Sequence, residues 1–257
     1  MTLLQGAVIV ASAAVAGMIN AVAGGGTLLS FPAMIWVGLP PITANATNTV
    51  ALVPGAFSGA WGYRRELRRN PARYYWLLIP SFVGGLAGSI LLRLTPPATF
   101  ARLVPLLILF ATVLFMLNEP VNRWLRRGQE SHEFEAHQGA RWMAIAVTLQ
   151  LITGLYGGYF GAGIGIMMLA TLGLIGLTDI YQMNGLKNLL GSAINLTAAL
   201  YFIYAGLVDW PVALIGAAGA LVGGYGGAGL ARQVGPRVAR RAVIVIGFAM
   251  AISLLFK

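Results

Sequence analysis

An all-α membrane protein that crosses the bilayer several times is the fold the sequence predicts, and three observations carry that prediction. Only 9% of its 257 residues are charged, 58% are hydrophobic and mean hydropathy is +0.79, whereas a soluble domain carries about 25% charged residues. Apolar stretches follow one another down the chain, separated by short connections that hold most of the arginines. The 34 glycines exceed the usual share of about 7%, and glycine is more frequent in membrane helices than in soluble ones.

Composition also excludes function classes. Without cysteine there is no disulfide framework, no thiol chemistry and no Cys-based metal site. The net charge of +10 rests on 15 arginines and two lysines. Because the arginines cluster between apolar segments, the charge reads as membrane topology and not as a nucleic-acid surface. There is no Walker-type P-loop, so nothing supports direct ATP use. No paired carboxylates or nucleophile–base set lie in an apolar context, so an enzyme is not expected, and neither is a cofactor. His132 and His137 sit among glutamates in a polar stretch, too weak a signal to predict a metal.

The first apolar stretch, about Leu3 to Leu39, is interrupted by Gly24-Gly25-Gly26 and Pro32. It is too long for one span of about 20 residues; two short helices or a re-entrant pair both fit. Residues 7–23 end like a signal peptide, but no Lys or Arg precedes them, so the segment is expected to be retained. Thr43 to Tyr63 starts unusually polar, an arginine-rich loop over 64–73 follows, and further spans cover about 74–92 and 101–117. Residues 118–141 form the longest polar segment. Beyond it, apolar stretches cover about 142–177, 182–205, 211–231 and 242–256, about eight hydrophobic segments in all.

The second half replays the first. Gly17, Gly24 and Gly26 align with Gly154, Gly161 and Gly163; Gly84-Gly85, Gly88, Arg93 and Pro97 align with Gly223-Gly224, Gly227, Arg232 and Pro236. The charge bias swaps sides between the copies. Loop 64–73 holds five arginines and its counterpart 206–211 none, while loop 231–241 holds four against two in 93–102. Since cytoplasmic loops carry the excess Lys and Arg, this pattern predicts two inverted-topology repeats, 1–117 and 142–257. They are joined by a cytoplasmic linker, 118–141, with both termini outside. Such repeats place the substrate near the midplane at their interface.

Asn20-Ala-Val-Ala-Gly-Gly-Gly26, Pro32, Gly38-Leu-Pro40 and Ala46-Thr47 resemble the N-terminal signature of the TauE/SafE membrane transporters. The segment from Gly154 to Gly163, Lys187-Asn188, Asp209-Trp210 and Gly223-Gly224 resemble its second signature. The resemblance covers nearly the whole chain. It implies a carrier of the bacterial inner membrane, with substrates among sulfite, sulfonates and related small organic anions.

Lys187 is the first candidate for the site, because an ionisable side chain with apolar neighbours inside a membrane is costly and marks function. On a helix, Asn184, Lys187, Asn188, Gly191 and Asn195 share one face, and a cation flanked by amides suits a small oxyanion. A lysine snorkelling to the interface is the competing reading. Val50 stands in the first copy where Lys187 stands in the second, so Asn45, Thr47 and Asn48 are expected to supply neutral hydrogen bonds, or else to bond between helices. Gly24, Gly25, Gly26, Gly161 and Gly163 are expected to break helices, with freed amides aimed at an anion. Asn20 lies just before the first break, placed to bridge the freed backbone or touch substrate.

These readings converge on a secondary carrier, an exporter of small sulfur-containing or organic anions, in contact with lipid and compatible with a homo-oligomer. An anion channel and a proton-coupled anion importer are the alternatives.

Overall fold

In the computed structural model, α1 (Leu3–Val22) ends just ahead of the glycine cluster, and α2 (Thr27–Trp36) turns back along it. A Cβ at Gly26 would fall on the Ala16 backbone, and toward the far end of α2 Met34 and Ile9 both reach Gly216. The return arm has 10 residues, about 15 Å of helix, half of a hydrocarbon core about 30 Å thick. The first apolar stretch is therefore a helical hairpin whose return arm is too short to cross. The same device recurs where α7 (Ala140–Tyr159) is followed by α8 (Ile164–Leu174). Ile164 packs against Gly157, and Ile175, just past the end of α8, accepts a hydrogen bond from the hydroxyl of Tyr74. The structure describes residues 1–22, 24–130, 140–177, 179–234 and 236–255, with side chains for 1–20, 24–117, 120–121, 123, 141–177, 179–225 and 244–253.

The other long helices are α3 (Pro41–Gly62), α5 (Leu78–Leu94), α6 (Pro97–Glu130), α9 (Ile180–Tyr204), α10 (Trp210–Val234) and α11 (Pro236–Leu255). A short α4 (Arg64–Leu67) and a 3-10 turn over Ala72–Leu77 carry the arginine-rich loop. Helices start where the chain supplies a start. Pro41 opens α3 with the φ a helix needs and no amide to leave unpaired, and Asp179 caps α9 by accepting from the amides of Tyr181 and Gln182. No strand occurs among the described residues. Helix α6 departs from the expectation. Its 34 residues, about 51 Å at 1.5 Å per residue, carry the apolar span on into the segment read as a polar linker. His132, Glu133, Glu135 and His137 lie outside the described residues.

Each half packs on the other. Along α1 and α10, Val10 meets Gly219 and Ala14 meets Gly223, so the two helices run in parallel; α3 joins them through Ala51–Gly216 and Gly55–Ala220. Along α5 and α7, Gly84 meets Leu151 and Gly88 meets Leu155, again in parallel, and α9 joins them through Gly85–Ile194 and Arg93–Tyr201. The two groups oppose each other. The start of α3 bonds the end of α7 through Asn45 and Tyr159, while Tyr63, just past the end of α3, touches Gly185 near the start of α9. In lipid no hydrophobic effect draws helices together, so this close approach of backbones through small residues is what holds them.

Exposed tryptophans mark two levels. Trp61 and Trp76 flank the arginine-rich loop, and Trp36 and Trp210 sit at the opposite end, each about half exposed or more. Indole rings settle at the two membrane–water interfaces. Arg64, Arg65, Arg68 and Arg69 are exposed beside the first pair.

Candidate functional site

The two helix breaks meet. Gly24 and Gly25 have φ of 72° and 108°, and Gly161 and Gly163 have 80° and 82°, left-handed conformations that a residue with a Cβ adopts only at a cost. A Cβ on Gly24 would lie 2.9 Å from the Cα of Gly165, so the first break touches the start of α8 backbone to backbone. Beside this contact is a cavity of about 50 Å³, lined by Asn20, Gly24, Gly25, Gly161, Lys187, Asn188 and Asn195 among the residues expected there. Lys187 is 2% exposed, so its side chain faces inward and does not snorkel.

The breaks differ in how their amides are used. Asn20 Oδ1 accepts from the amides of Gly25 at 3.1 Å and Gly26 at 2.7 Å. The first break is thus closed by a side chain, and Gly26 lies behind it against α1. Among the described residues the second break has no such side chain. The amides of Ala162, Gly163, Ile164 and Gly165 make no hydrogen bond within the described residues, as befits the first turn of a helix without a capping side chain. Ile164 and Gly165 line the cavity.

The remaining expected residues lie elsewhere. Asn184 donates to the carbonyl of Ile180, a turn beyond the cavity along α9. Thr47 accepts from the amide of Asp209 at 2.9 Å, Asn45 donates to Tyr159, and Asn48 is buried without lining the cavity. In their place α3 contributes Gly55, Ala56 and Gly59. This glycine stripe falls on the helical period, but spacing alone does not say how deep along α3 the partner helix crosses. Asp179 and Asp209 cap helix starts, and no described carboxylate lines the cavity.

The family model for the sulfite exporter TauE/SafE matches residues 9–254. The chain belongs to the TauE/SafE family. Its relatives include a protein of Haemophilus influenzae named "Probable membrane transporter protein", 29% identical over 94% of this chain and 91% of that protein. A Sinorhizobium protein, "Probable membrane transporter protein ORF9", is 26% identical over 95% of this chain and 90% of its own length. "Probable membrane transporter protein YfcA" of Escherichia coli K12 is 25% identical over 95% and 87%. No solved structure matches. This TauE/SafE member is a membrane transporter and not an enzyme, a multi-pass protein of the bacterial inner membrane that works on a small substrate within the lipid bilayer.

Proposed function

We propose that this TauE/SafE protein exports small sulfur oxyanions, sulfite foremost, through the cavity at Lys187. The observation that carries the reading is a buried lysine lining a small chamber beside the amides that open α8, which are unpaired among the described residues. A cation, side-chain amides and helix-start amides together match the several acceptor oxygens and the charge of an oxyanion. The cavity is small, about 50 Å³, which favours the smallest members of the class.

The reading includes the arrangement of the chain. Residues 1–117 and 142–257 act as inverted-topology repeats, with 118–141 and the arginine-rich loop in the cytoplasm. The opposed directions of α3 and α9, and the matched pairing of α1 with α10 and of α7 with α5, support it. Cysteine labelling checks it on a chain with no native cysteine. Arg68→Cys is expected to react only from the cytoplasm and Ala98→Cys only from outside; reaction of both from one side overturns the arrangement.

Export needs no coupled ion. Moving one negative charge out of an inside-negative cell yields about 2.3 kcal/mol per 100 mV, which sustains a roughly 40-fold concentration ratio. Proton coupling would call for a carboxylate or histidine on the path, and none lines the cavity among the described residues. Proteoliposomes loaded with sulfite test the function. Efflux should exceed that of protein-free vesicles and accelerate under a potassium–valinomycin potential, negative inside, at equal pH. Flux no greater than in empty vesicles sinks the substrate assignment. Flux that follows a pH gradient and ignores the potential sinks the energetics.

A further inference from the structure

The start of α3 and the end of α7 hold oxygen atoms that nothing in the described chain satisfies. Asn45 and Asn48 are each 1% exposed, and residues three apart share a helix face. Asn45 Nδ2 donates to the carbonyl of Tyr159 at 3.0 Å, while Asn45 Oδ1 and Asn48 Oδ1 have no partner. Buried side-chain oxygens in this state are uncommon and call for an ion or a water to complete them. What is left unsatisfied on both residues is an acceptor oxygen, the wrong complement for an anion.

The surroundings favour a cation. Helix α7 stops at Tyr159, and the carbonyls of Gly158 and Phe160 accept no backbone hydrogen bond among the described residues. The negative end of the α7 dipole therefore points where Asn45 is anchored. Asp209 brings a carboxylate close by, since its amide is bonded to Thr47, the neighbour of Asn48. Neutral amide oxygens and helix-end carbonyls suit a hard monovalent ion, the ligand set that broken helices offer to sodium. Divalent ions draw on carboxylate ligands, and the Asp209 carboxylate is engaged in capping α10 through Val212.

We propose that Asn45 and Asn48, with the end of α7, bind one sodium ion. Bound there, sodium fastens α3 to the helix whose break exposes the amides at the cavity. On the anion reading above, sodium and anion then tighten each other's binding, and the effect is reciprocal.

The test begins without any sulfite, so that its outcome does not depend on the anion assignment. Purified full-length protein is unfolded thermally in sodium, potassium or choline chloride at equal ionic strength. Sodium should raise the midpoint above choline, with potassium less effective. Asn48→Leu keeps the side-chain volume without the oxygen and should fold yet lose the sodium response, and Asn48→Asp should strengthen it. Sulfite should then bind the wild type about 5–150-fold more tightly in sodium than in choline. Equal midpoints in the three salts would mean that water alone completes these oxygens and would overturn the proposal, as would Asn48→Leu with the full sodium response. Should Asn48→Leu fail to fold, the wild-type comparison of the three salts still decides.

Discussion

Lys187→Met is expected to weaken sulfite binding roughly 10–150-fold while leaving the protein folded, on the basis that a hydrogen bond to a charged group is worth about 1.5–3 kcal/mol. Methionine keeps the unbranched length of lysine and removes both the charge and its donors, so what is lost is the complement to the anion. Folding survives because the substitution takes an ionisable group out of a buried membrane position, where holding it is costly. Lys187→Arg should recover only part of the affinity. A planar guanidinium is larger than an ammonium and aims its donors as a fork, so it does not reproduce the compact ammonium it replaces. Calorimetric titration of sulfite into purified protein, beside efflux from proteoliposomes, reads the effect. Wild-type affinity in Lys187→Met would remove this residue from the site.

Much of this arrangement was legible in the residues, and what was not has a physical cause. The two breaks showed as glycine clusters because only glycine sits comfortably at the positive φ of Gly24, Gly25, Gly161 and Gly163. The inward face of α9 showed as a helical period from Asn184 to Asn195. Period gives direction but not depth. Asn184 therefore shared that face and still turned to its own backbone, and on α3 the polar residues at 45–48 drew attention away from the glycines at 55 and 59 that reach the cavity. The hairpin rested on the 10-residue length of α2 and on where Met34 lands, beside Gly216, which no local pattern encodes. The reach of α6 to Glu130 was hidden for a different reason. An arginine- and glutamate-rich helix beyond the bilayer is polar by composition, and a hydropathy reading ends the segment where the apolar run ends. Asn20 was expected to bridge the freed backbone or touch substrate; its bonds to Gly25 and Gly26 make the bridge, and it also lines the cavity.

Gly88→Val is expected to prevent stable assembly of the two halves. A Cβ at Gly88 would fall on the carbonyl oxygen of Leu155 and 2.7 Å from the amide nitrogen of Tyr159; across the same contact a Cβ at Gly158 would fall on the carbonyl of Gly85. The atoms in the way are backbone, so no rotamer change relieves the clash and the helices must part. Overpacking a well-filled contact costs about 1–3 kcal/mol and occasionally more, and this case belongs at the upper end. The partner lost is the end of α7 that runs into the break beside the cavity, so the damage reaches the site. By the scaling for chains of this size, a cost of about 3 kcal/mol lowers the unfolding midpoint by roughly 10 °C. Gly62→Ala is the matched control. Nothing lies within 4 Å of a Cβ at Gly62, and alanine favours the helical state over glycine by about 1 kcal/mol or less, so that variant should be neutral or slightly more stable. Thermal unfolding followed by size-exclusion chromatography compares the two directly. A monodisperse Gly88→Val protein with a wild-type midpoint would show that α5 and α7 do not pack in this register.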